Sequence, residues 1–232
     1  MKYLAASLLL GLSLSTVHAD EFSKVNGSVH VSAGQTVDEV STVNGAIRID
    51  DNVTAKSVET VNGSINVGTG CSLGHVGTVN GGITLGEGTR VEDLETVNGK
   101  MHIGSDVQVA GDATSVNGGM WLDRGSHVRG NVENTNGAMT LEGARVDGRL
   151  KTVNGSITVG ADSHVGGGIL VEKPGFSWFG SNHNKPKIVI GPNAVVNGTL
   201  EFEREVELYV SNSAKIGKVK GAKPIMFSGA QP

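Results

Sequence analysis

The sequence predicts an all-β chain, a single-stranded parallel β-solenoid of about ten coils of about 18 residues, on three observations. Val-Asn-Gly recurs at Val25, Val43, Val61, Val79, Val97, Val116 and Val153, with Thr135-Asn136-Gly137 as a variant and Val196-Asn197-Gly198 as a distant copy. The asparagines advance by 18, 18, 18, 18, 19, 19 and 18 residues from Asn26 to Asn154. A fixed period of that size marks stacked repeats. Inside each repeat the aliphatics alternate with period two, the spacing of a strand and not of a helix.

Composition agrees. Glycine is abundant (35 residues) while aromatics are 4 % of the chain, which suits narrow strands around a core of small aliphatics. No Gly-X-Y period is present, so collagen is excluded.

Residues 1–19 have the form of an export leader. Lys2 is followed by an apolar run from Leu4 to Leu14, and Val17-His18-Ala19 supplies a cleavage site. The mature chain is then expected to begin at Asp20, placing the protein in the periplasm, at the outer envelope or outside the cell. It would carry 18 basic and 23 acidic residues, a charge of −5. That balance gives no reason to expect nucleic-acid binding. No later stretch has the length and apolarity of a transmembrane segment. The lone Cys71 has no partner for an internal disulfide and is expected as a small buried residue.

With the motif valine as position 1, the second coil reads VNGAIRIDDNVTAKSVET and the fourth VNGGITLGEGTRVEDLET. Positions 1, 5 and 7 are aliphatic almost throughout, and positions 13 and 16 usually are. Carrying the alternation back through the position-3 glycine puts the motif valine in the core as well. The threonine at position 18 and the asparagine at position 2 would then face outward as two polar ladders, Thr42/Asn44, Thr60/Asn62, Thr78/Asn80 and Thr96/Asn98. Asn26, Asn44, Asn62, Asn80, Asn98, Asn117, Asn136 and Asn154 are the expected stacking ladder, since Asn bonds to its neighbours along a stack. One coil cannot bury its apolar residues alone, but a stack shares one core.

A second motif, V-x-G-x-[VIL], emerges at Val128, Val146 and Val165. The rhythm breaks at residues 172–187, EKPGFSWFGSNHNKPK, expected as an inserted loop within a solenoid domain of residues 20–221. Its Phe176, Trp178 and Phe179 form a candidate contact patch, and Trp121, at outward position 6, a platform for sugar stacking. Ile188 and Ile190 resume the alternation, Val196, Leu200 and Phe202 match positions 1, 5 and 7, and residues 222–232 form a tail.

No site of known chemistry is visible. His30, His75, His102, His127, His164 and His183 have no metal-ligand spacing and are expected on the solvated surface. Acids at Asp50, Asp51, Glu87 and Asp123 are scattered, with no arginine column beside them. No cofactor, metal site or catalytic residue is predicted.

Ile188 to Leu200, I-x-I-G-x-x-A-x-V-x-G-x-L, and Ala214 to Val219, A-x-I-G-x-V, resemble the bactofilins. That resemblance implies a right-handed three-sided β-helix that polymerises. The strict Val-Asn-Gly coils are similar to β-strand-repeat adhesins of bacterial envelopes. A left-handed hexapeptide helix fits the bulky position 5 poorly, and a meander of Asn-Gly hairpins explains the fixed period less well. The expected function is an exported, non-enzymatic structural or adhesive scaffold that self-associates through its ends, where open strands invite pairing. The alternative is a polysaccharide-binding module using the Thr/Asn face, Trp121 or the aromatic loop. A polysaccharide-degrading enzyme comes third.

Overall fold

Strands this short and this regularly spaced bury their apolar side chains only by stacking. A computed structural model describes residues 21–175 and 185–232 and shows that stack, an all-β parallel solenoid of about eleven turns. The leader and the aromatics Phe176, Trp178 and Phe179 lie outside the described residues.

Two parallel sheets enclose one core. The narrow sheet has eleven strands, formed by positions 5 to 7 of successive coils, from Val29–Val31 to Ile225–Phe227. Its inward column runs Val29, Ile47, Ile65, Ile83, Met101, Met120, Met139, Ile157, Ile188 and Leu208 in unbroken register. The strand Ile225–Phe227 adds the final rung from within the expected tail.

The wide sheet bends around a corner. In the early coils it consists of nine-residue strands such as Thr54–Asn62 and Arg90–Asn98. Two successive non-core residues, Glu92 and Asp93, make the corner between buried Val91 and Leu94. In the fifth coil three residues, Ala110-Gly111-Asp112, separate buried Val109 and Ala113, and the strand splits into Gln108–Val109 and Ala113–Asn117. The 19-residue spacing is therefore one residue inserted at this corner, and V-x-G-x-[VIL] is the corner's sequence. The seventh coil keeps the longer corner but has one residue fewer between Leu141 and Val146 than the sixth has between Leu122 and Val128. That restores a spacing of 18.

The turn before the wide sheet needs a left-handed residue. Asn52 (φ 57°), Asp106 (φ 55°), Asp162 (φ 58°) and Asn193 (φ 57°) occupy it where coils such as those of Gly70 and Gly88 use glycine. Asn and Asp tolerate this region better than other side chains. One position later comes a further inward column that includes Val53, Cys71, Val107 and Ala144, all buried. Cys71 is thus a core residue; its thiol donates to the Asp50 carbonyl at 3.1 Å, and burial pushes its pKa up.

Three expectations are corrected here. The motif valines point outward. Val43, Val61, Val79, Val97, Val116 and Val153 are half-buried and Val25 is 67 % exposed. The position-18 threonines point inward instead; Thr42, Thr60, Thr78 and Thr96 are buried, each donating its hydroxyl to the position-3 glycine carbonyl one rung back. The cause is the bend at Asn-Gly, where one strand ends and the narrow sheet has not begun, so the alternation loses phase. Lastly, Val196-Asn197-Gly198 is no copy of the motif. Val196 is in register with Val165 and Val146, so this is the corner again, and Leu200 and Phe202 continue the columns of Ile169 and Val171.

Candidate interaction surfaces

The asparagines form one continuous chain of hydrogen bonds along the Asn-Gly corner. Each side-chain amide donates to the carbonyl oxygen of the preceding asparagine: Asn44 to Asn26, then Asn62, Asn80, Asn98, Asn117, Asn136 and Asn154 in turn, at 2.8–3.0 Å. The close approach of successive corners demands the glycine, because a Cβ on Gly63 or Gly81 would collide with the glycine carbonyl one rung back. The chain stops at Asn154 because the next strand end, at Val171, is followed by Glu172-Lys173 in place of Val-Asn. Arg204 reaches back over that gap and donates to Asn154 Oδ1 at 2.7 Å and to the Val153 carbonyl at 3.1 Å. A guanidinium thus replaces the missing ninth amide. The proposed Thr/Asn face does not exist as a face, since its threonines are core and its asparagines satisfy one another at a corner.

The wide sheet carries a column of arginine, histidine and glutamine side chains that the sequence reading missed. Arg90, Gln108, His127, Arg145 and His164 lie on consecutive rungs. Asp147 bonds His127 Nε2 at 2.8 Å and Arg145 at 2.7 Å. The His127 hydrogen bond, followed by that of Arg145, holds the Asp147 carboxyl below its usual pKa. Two further imidazoles are also paired, His30 with Asp50 at 2.8 Å and His102 with Asp123 at 2.7 Å. Asp50 is lowered by the His30 bond and then by Arg48. The signal was present: an aspartate two register positions after the histidine, one rung on. Among the described residues no group of three or more His, Cys, Asp or Glu converges as metal ligands. No described helix is long and apolar enough to cross a membrane.

Trp121 lies on the outward column of the narrow sheet, between His102 and Thr140. It is half-buried, and a Cβ on Gly119 would strike its ring, so the absent side chain makes room for the indole. Lys100 Nζ stands 5.7 Å from the indole centroid. With Ser64, Gly82, Thr84 and His102 these residues line a shallow depression of about 410 Å³. A second such pair, Lys187 over Tyr209 at 5.0 Å, was not anticipated.

Both ends of the stack are open among the described residues. Phe22–Asn26 and Val29–Val31 each have a strand partner on one side alone, as does Ile225–Phe227 at the other end. Large apolar side chains are exposed at both, Val25 at one and Ile225 (53 %) and Met226 (55 %) at the other.

A scan against protein-family models finds no match, and comparisons with curated proteins and with solved structures find none either.

Proposed function

We propose that the protein is an exported, non-enzymatic β-solenoid scaffold that assembles end to end, as the likeness to polymer-forming bactofilins and envelope adhesins suggested. The observation that carries this reading is the pair of terminal rungs that have a strand partner on one side alone among the described residues, with exposed apolar side chains beside them. An open parallel strand offers unpaired backbone groups to another chain. Charge adds a direction. Residues 21–99 hold ten acids and four bases, whereas residues 208–232 hold four lysines and no acid. An acidic first end and a basic last end favour head-to-tail contact, a heterologous interface that propagates as a filament.

Edge-blocking prolines test it. In a parallel ladder alternate residues turn their backbone groups to opposite sides. Val29 N–H donates to Ala46 and Asp50 N–H to Val31, which leaves His30 to face the open edge. By the same register Met226 faces out at the other end. In a light-scattering concentration series the wild-type chain is expected to grow in mass, with growth reversed by salt. His30→Pro and Met226→Pro should each be monomeric, and their mixture should form dimers. A wild-type monomer at every concentration overturns the scaffold reading; single variants that stop at dimers overturn the head-to-tail order.

A further inference from the structure

The outward surface of the narrow sheet differs in charge from the rest of an acidic chain. Its two outward columns are register positions 4 and 6. They carry Arg48, Lys100, Lys187 and the imidazoles of His30 and His102, with no carboxylate before Glu207. On the adjoining column Asp50 is bonded by His30 and Arg48, and Asp123 by His102. Glu142 is the one other acid there.

The same register builds a lysine-aromatic pair twice. In each, a lysine at position 4 of one rung stands over an aromatic ring at position 6 of the next. From Trp121 the column continues through Thr140, Thr158 and Val189 to Tyr209. Four strand spacings separate the rings, roughly 19 Å. Between them, among the described residues, the column carries Thr140, Thr158 and Val189 and no charge. Toward the first end, Trp121 looks across His102 and Thr84 to Asn66 and Arg48, a line of hydrogen-bonding groups one rung apart.

We propose that this face is a binding lane for an extended acidic polysaccharide, a hexuronate chain lying along the solenoid axis. Aromatic rings present flat apolar platforms to the C–H faces of pyranoses. Lys100, Lys187 and Arg48 meet the carboxylates, and the hydroxyls of Thr84, Thr140 and Thr158 meet those of the sugar. One rung is close to the length of one sugar residue, so successive units find successive rungs. His102, on the same column beside Trp121, is held through Nε2 by Asp123. The lane is independent of end-to-end assembly, since it uses neither terminal rung.

The test is titration calorimetry of the full chain with a β-1,4-linked glucuronate hexamer and with cellohexaose, its neutral counterpart. The acidic hexamer is expected to bind, more weakly at high salt, and cellohexaose to bind at least tenfold less tightly (~1.4 kcal/mol). Trp121→Ala and Tyr209→Ala should each lower affinity by about tenfold, while Trp121→Tyr keeps most of it. Exposed Lys100→Ala and Lys187→Ala should weaken binding and flatten its salt dependence, which carries the test if an aromatic variant fails to fold. The proposal is overturned by a wild-type chain that ignores the acidic hexamer, by equal affinity for cellohexaose, or by lysine variants that bind as the wild type does.

Discussion

Asn80 sits in the middle of the amide chain, donating to Asn62 at 2.9 Å and accepting from Asn98 at 2.9 Å. Each bond is exposed, so its removal costs about 1 kcal/mol at most. The two obvious replacements therefore separate sharply. Asn80→Ala deletes both partners and lets water satisfy the neighbours. Asn80→Asp keeps the shape but turns a donor into an acceptor facing Asn62 Oδ1, adding a charge to a row of dipoles. Denaturant unfolding is expected to show Asn80→Asp as the less stable of the two variants, by about 1–2 kcal/mol. Equal stabilities would mean that the row contributes geometry and no energy. The asparagine ladder was legible because eight copies spaced by 18 or 19 residues have few other uses. The inward threonines were not. Period two is a property of a single strand, and nothing in T-V-N-G states that the strand ends at the asparagine. Tyr209 and Lys187 were missed for a related reason: Lys187 reads as the end of the inserted loop, whereas it opens the strand Lys187–Ile190 and pairs across rungs.

At the level of the strand, the wide sheet's later coils are held on their outer side by charge. Arg145 and His127 lie on adjacent rungs and share Asp147, the first residue of the corner. The Asp147 pKa is depressed in the folded chain, chiefly by the His127 hydrogen bond. A carboxyl depressed on folding stabilises the fold above its unfolded pKa, and that contribution is lost as pH falls through the lower folded value. The window therefore lies below about pH 4. Melting temperature is expected to fall in that window, and to fall less steeply in Asp147→Asn. An identical slope would remove this pair from the account. The pairing was readable in outline, since His127 and Asp147 obey the same offset as His102 and Asp123. The alignment of Arg145 with the wide sheet's column was not, because the turn between Leu141 and Val146 is one residue shorter and moves Arg145 one position early in its coil.

For the whole molecule, the stack is a sum of near-identical rungs, and such arrays gain stability from neighbours more than from any one unit. Its interior rungs have two neighbours and its terminal rungs one. Each Asn-Gly step is also a chemical clock. In a flexible chain the glycine nitrogen attacks the asparagine side-chain carbonyl carbon, expels ammonia, and the resulting ring opens with water to leave an acid. Asn-Gly is the dipeptide in which a missing side chain makes that attack easiest. Here Gly27, Gly45, Gly63, Gly81, Gly99 and Gly118 spend that N–H on the next rung's asparagine carbonyl, at 2.8–3.0 Å. The side-chain amides are pinned as well. Incubated at mild alkaline pH and followed by peptide mass spectrometry, the folded chain should retain its interior amides while the urea-unfolded chain loses them. Loss in the folded chain should begin at Asn26, on the rung with one neighbour; uniform loss would contradict it. The repeat that builds the rod thereby sets the order in which it ages, from its open end inward.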